Sequence, residues 1–207
     1  MRTANEIDRD GTPLRVFHRR GNSAWTHPIG EPSSEDRCGC RGESVEPHPG
    51  SALLATLVND AASVIAPLAA ERKLELRVDA PEEPVTLETD VTKVRHILVN
   101  LLSNAVKFTE RGEVVLTVCI ENEQVRFDVT DTGVGIAPQF HERIFDPFWQ
   151  VENQASRRVA GTGIGLSVAR RLARLLGGDI TVTSKPDSGS TFTARVPRRL
   201  GEAGARA

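Results

Sequence analysis

The chain has 207 residues, with 26 Lys and Arg against 28 Asp and Glu and a formal net charge of −2. That length allows one domain of about 150 residues plus extra chain, and the near-neutral balance excludes the electrostatic pull of a nucleic-acid or membrane-surface binder. No apolar run approaches the ~18 residues of a membrane span, no secretory signal opens the chain, and three cysteines make no disulfide framework, so the composition fits a cytoplasmic protein.

Residues 1–50 hold Ile7, Leu14, Val16, Ile29 and Val45 as their only large aliphatics, among five prolines and six glycines. Burial that sparse does not offset the entropy of ordering a chain, so this stretch is predicted to be disordered. The folded domain is expected over 51–197, with a flexible tail at 198–207. From Ser51, a candidate N-cap, Leu53, Leu54, Leu57, Val58, Ala61, Ile65 and Leu68 recur at helical spacing, with Pro67 a possible kink. Leu74, Leu76 and Val78 alternate as in a half-buried strand, and 85–88 is a weaker one. Asp90 then caps the strongest helix, striped by Val91, Val94, Ile97, Leu98, Leu101, Leu102, Ala105 and Phe108. Alternating runs at 113–120 and 124–130 predict a hairpin. Residues 131–163 read as loop, 164–176 as a helix closed by Gly177-Gly178, and 179–184 with 190–196 as a last hairpin. Helices and antiparallel strands without βαβ regularity predict an α+β fold, a two-layer sandwich of one sheet with helices on one face.

Four clusters carry chemistry. In Asn100-Leu-Leu-Ser-Asn104-Ala-Val-Lys107-Phe108 the two amides and the ammonium share one helix face. Such a face suits a polyphosphate with Mg²⁺, since amide oxygens ligate the ion and the lysine offsets phosphate charge; it equally suits a solvated helix surface. Asp131-Thr-Gly133-Val-Gly135-Ile136 follows a strand, so its acid can accept from an exocyclic amine and its glycines admit close backbone approach; a simple turn uses the same residues. Phe145-Asp-Pro-Phe148-Trp149 reads as core anchors or as the base of a mobile lid. Gly161-Thr162-Gly163-Ile164-Gly165-Leu166 runs into a helix, where free N–H groups and the helix dipole favour phosphate. A polar loop rather than a strand precedes it, which disfavours a dinucleotide fold, and no P-loop occurs.

In order and spacing these clusters resemble the N box, first glycine box, F box and second glycine box of the catalytic, ATP-binding domain of sensor histidine kinases, in the superfamily shared with gyrase, mismatch-repair and chaperone ATPases. Gly189-Ser-Thr191-Phe-Thr-Ala-Arg-Val-Pro197 is similar to the family's closing strand. The resemblance covers roughly 51–197 and implies a Bergerat-type fold with a mixed, mostly antiparallel sheet. It further implies that Asn104 ligates Mg²⁺ with Asn100 assisting, that Lys107 touches phosphate, that Phe108 lies against adenine and that Asp131 accepts the adenine amino group. The glycines at 133, 135, 161, 163 and 165 would let lid and backbone approach ATP, in a pocket shared with Ile136, Phe145, Phe148, Thr162, Ile164, Leu166 and Thr191. Arg157 or Arg158 would reach the γ-phosphate. Hydrolysing relatives place a general-base Glu where this chain has Asn100, and an amide takes no proton from water, so holding ATP for phosphoryl transfer is favoured over rapid hydrolysis.

One departure bears on partners. None of His18, His27, His48, His96 and His141 sits in the acid-plus-Thr-Pro context of a phosphoacceptor, and 1–50 lacks dimerisation heptads. The expected acceptor is therefore a hairpin domain supplied in trans, followed by a response-regulator receiver domain. The alternatives are an ATP-binding or weakly hydrolysing regulatory module, and a degenerate interaction domain. Cys38 and Cys40 lack the second pair of a zinc site, and Cys119 reads as a small buried hydrophobe.

Overall fold

A computed structural model describes residues 47–150 and 162–201. Most of the expected N-terminal disorder and of the C-terminal tail lies outside the described residues, and the described fold lies within the unit Ser44–Ala207. In chain order the elements are β1 (Gly50–Leu53), α1 (Leu54–Glu71), β2 (Glu75–Asp79), β3 (Thr86–Thr89), α2 (Val91–Phe108), β4 (Glu113–Glu121), β5 (Gln124–Asp131), α3 (Gly165–Leu175), β6 (Asp179–Ser184) and β7 (Ser190–Pro197).

The fold is α+β, as expected, but the strands form two sheets rather than one. Five strands run in the order β2-β4-β5-β7-β6, with only β2–β4 parallel, and β1 pairs antiparallel with β3 in a separate ribbon. Ser51 is accordingly not a helix cap. It pairs with Glu88 inside β1, and α1 starts at Leu54, whose N–H donates to the Val85 carbonyl at 2.8 Å. Hydrogen bonding to a neighbouring strand outweighs the local preference of a serine for a cap, a long-range effect that periodicity does not register. Pro67 neither ends nor shortens α1, which runs on to Glu71; the ring sits on the exposed side.

Asp90 does cap α2. One carboxylate oxygen accepts from the Lys93 N–H at 3.0 Å, and the other accepts from the Lys93 ammonium at 2.5 Å and from the His48 N–H at 2.8 Å. Burial raises the Asp90 pKa, but these donors outweigh it and hold the carboxyl below its ordinary value. Val94, Ile97, Leu98, Leu101, Leu102, Ala105 and Val106 bury one side of this helix against the sheet and α1. Each of the valine, leucine and isoleucine side chains contributes about 1.5–3 kcal/mol by leaving water.

The sheet obeys a period of two. Val125, Phe127, Val129 and Asp131 of β5, and Ser190, Phe192, Ala194 and Val196 of β7, face the helices. The opposite face carries Glu121, Arg126, Asp128, Thr193 and Arg195, which pair among themselves. Cys119 lies on that side too and is half-buried rather than buried. Just past β7, the Arg198 N–H donates to the Glu123 carbonyl at 2.7 Å and the Leu200 N–H donates to the Glu88 carbonyl at 2.8 Å, so residues 198–200 are tied to the sheet and ribbon.

Candidate nucleotide site

A cavity of about 700 Å³ opens between α2, the loop after β5, the start of α3 and the β6–β7 turn. The face of α2 lines it with Asn100, Asn104, Lys107 and Phe108. The amide of Asn100 donates to the His96 carbonyl at 3.0 Å, which leaves its oxygen aimed at α3; a Cβ at Gly165 would stand 3.1 Å from that oxygen. The carboxamide of Asn104 has no partner among the described residues. Burial pushes the Lys107 ammonium below its ordinary pKa, and Arg72 adds to this. The Arg72 guanidinium caps α2 by donating to the carbonyls of Val106 at 3.3 Å and Lys107 at 2.9 Å.

Asp131 ends β5 with its side chain inside the cavity and only 5% exposed. Burial raises its pKa, against the opposing pull of two backbone donors, Gly133 and Ser190. The loop it opens is bound on both sides. Val134 donates to the Phe108 carbonyl at 3.3 Å and accepts from the Asp187 N–H at 2.9 Å. Gly135 has a φ of +65°, and any Cβ there would run into the Lys185 carbonyl. This glycine is therefore required by close approach within the chain itself.

Of the other residues expected at the site, Ile136, Thr162, Gly163 and Leu166 also line the cavity. Gly133 lies beside it, donating to Asp131 at 2.9 Å. Ile164 precedes α3 and accepts from the Ser167 hydroxyl at 2.8 Å. Phe145 is buried away from the cavity, with the Arg170 guanidinium 4.5 Å above its ring. Phe148 is 74% exposed. Thr191 points to the outer face of the sheet, 3.1 Å from the Thr130 hydroxyl. Arg157, Arg158 and Gly161 lie outside the described residues. The cavity is also lined by residues not expected at the site, among them Phe140, Trp149, Asp187, Ser190 and Phe192. Alternation could have found Ser190, since it shares the inward parity of Phe192, Ala194 and Val196.

The sequence model of the family described as "Histidine kinase-, DNA gyrase B-, and HSP90-like ATPase" matches residues 89–200, which contain most of this cavity. The chain belongs to that family. Among its relatives, the sensor histidine kinase RcsC of Escherichia coli is 44% identical over 117 residues, covering 56% of this chain and 12% of that protein. The sensor protein GacS of Pseudomonas syringae is 39% identical over 145 residues, covering 67% of this chain and 16% of that protein. The chain thus spans under a fifth of the length of either relative. Two solved structures are also similar. Full-length ShkA, determined in complex with AMPPNP, aligns with a TM-score of 0.68 at 33% identity over 79% of this chain and 34% of its own. The catalytic domain of histidine kinase ThkA aligns with a TM-score of 0.65 at 25% identity over 74% of this chain and 97% of its own. The described domain is thus an ATP-binding catalytic domain of the histidine-kinase type, with the Bergerat-type sandwich of its neighbours. Among the described residues no helix is long and apolar enough to cross a membrane, and no group of three His, Cys, Asp or Glu is placed to hold a metal.

Proposed function

We propose that this domain binds ATP with Mg²⁺ and transfers the γ-phosphoryl group to a histidine on a separate hairpin domain, from which a receiver domain takes it. The reading is carried by one observation: a single cavity is lined by both a buried carboxylate and the Asn100–Asn104–Lys107 face. Asp131 would accept the adenine amino group, Phe108 would lie along the base, and Lys107 would meet phosphate. The donor set fits a hard cation that brings most of its ligands from phosphate and water. Asn104, whose amide oxygen is uncommitted, would hold the Mg²⁺, with Asn100 beside it. Bound there, the ion would offset charge on the phosphates and align the γ-phosphoryl group for in-line displacement. Asn100 supports transfer over hydrolysis, because an amide cannot take a proton from an attacking water. Arg157 or Arg158 is the proposed contact to the γ-phosphate.

Incubation with γ-labelled ATP, Mg²⁺ and a phosphoacceptor hairpin domain tests the reading. Acid-labile label on the hairpin is expected. Nucleotide binding without such label would leave a regulatory ATP-binding module instead, and no binding at all would leave a degenerate interaction domain.

A further inference from the structure

Ser184, at the end of β6, is not a cavity residue, yet its hydroxyl ties the loop after β5 to the Gly189-Ser190 segment that opens β7. It accepts from the Ile136 N–H at 2.8 Å, donates to the Gly189 carbonyl at 2.8 Å and lies 3.0 Å from the Ser190 hydroxyl. A serine hydroxyl has one proton and two lone pairs. The Gly189 carbonyl can only accept, so it takes the Ser184 proton. Between the two serines, Ser190 must then be the donor. Its own proton is turned away from the cavity and its lone pairs are left facing the ligand. Ser190 lines that cavity, is 7% exposed and stands opposite Asp131 in the β5–β7 pairing. The Asp131 carboxylate is likewise an acceptor, with its neighbours Gly133 and Ser190 giving it only backbone N–H groups.

We infer that Ser184 is a positioning residue for base specificity: by holding the Ser190 proton it makes this wall of the cavity all acceptor, matched to the 6-amino group of adenine and mismatched to the 6-oxo group of hypoxanthine or guanine. The inference rests on the ATP reading above. An amino group brings two donor hydrogens to two acceptors. An oxo group brings lone pairs against the lone pairs of two groups that are only 5% and 7% exposed.

Calorimetric titration of the whole chain with ATP and with inosine triphosphate, both with Mg²⁺, tests it, because the two differ only at the 6-position and its N1 proton. Wild type is expected to prefer ATP. In Ser184→Ala the Ser190 hydroxyl is released to donate to an oxo group, and the preference is expected to narrow about tenfold. Ser184→Thr, which keeps the hydroxyl, is expected to restore it. Ser184→Cys, close in size and weak in hydrogen bonding, is expected to narrow the ratio in the same direction, and serves if the alanine variant does not fold. Melting temperatures without nucleotide establish which variants are folded. Equal weakening of both nucleotides, or an unchanged ratio in a folded variant, would overturn the positioning role and leave a structural one. Wild type that binds neither nucleotide would overturn the ATP reading itself, and this inference with it.

Discussion

The two ends of the cavity are built in opposite ways. Around Asp131 nearly every polar group is committed: Gly133 and Ser190 donate to the carboxylate, Ser184 links Ile136, Gly189 and Ser190, and Val134 bridges Phe108 and Asp187. On the cavity face of α2 the Asn100 oxygen and the Asn104 carboxamide are uncommitted among the described residues, and the Lys107 ammonium has no carboxylate partner there, only the Phe108 ring 5.1 Å away. A committed end is rigid before any ligand arrives and can test shape and hydrogen-bond polarity. An uncommitted end presents groups whose natural partners are phosphates and a cation. The same cavity thus separates recognition of a base from the handling of charge.

The difference implies that damage at the committed end is felt in folding and damage at the other end is felt in ligand response. Gly135→Ala should have the largest effect. It forces a Cβ into the Lys185 carbonyl at a φ of +65°, and should lower stability by about 3 kcal/mol or more, read as a fall in melting temperature. An unchanged melting temperature would show that the loop is not locked at all. Asn104→Ala should leave the nucleotide-free stability within about 0.5 kcal/mol, yet abolish the rise in melting temperature that ATP with Mg²⁺ produces. Retention of that rise would remove Asn104 from the cation site.

The raised pKa of Asp131 makes nucleotide affinity depend on pH. The carboxylate accepts from an amino group more strongly than the protonated acid does, so affinity is full above its pKa and falls below it. Because burial raises that pKa, the fall should begin at a higher pH than for an ordinary aspartate. Asp131→Asn, neutral throughout, should bind more weakly and show none of this component in the same titration.

A smaller effect is expected in the ion pairs that tie α3 to β6. Burial raises the Asp179 pKa, but bonds from Arg170 and Arg174 outweigh it and hold the carboxyl at about 2. A folded-state value below the unfolded one stabilises the fold at neutral pH. That contribution is lost as pH falls from about 4 towards 2. With the side chain 42% exposed, solvent screening should limit it to about 1 kcal/mol. Arg174→Gln should diminish the acid-induced drop in melting temperature.

Much of this was legible in the sequence because it is local. Asp90 as cap and the apolar stripe of α2 follow from spacing alone, and that helix carries Asn100, Asn104, Lys107 and Phe108 to one side of the cavity. What was not legible depends on partners distant in sequence. Ser51 has a capping side chain, yet pairs with Glu88 because β3 offers it a strand. The glycines of the loop after Asp131 suggested room for a ligand, whereas at Gly135 the neighbour is the chain's own turn at Lys185, fifty residues on. Ser184 belongs to no motif, and only the fold reveals that it joins the loop after β5 to the start of β7.

The sheet face turned away from the helices has a consequence of its own. Glu121, Arg126, Asp128 and Arg195 neutralise one another there, with Thr193 and the Thr130–Thr191 pair between them. Among the described residues this face balances its charge internally, and none of the exposed large apolar side chains lies on it, so it suits solvent as one face of an antiparallel sheet commonly does. A face of that kind makes a unit portable: it can be appended to very different neighbours without interface design.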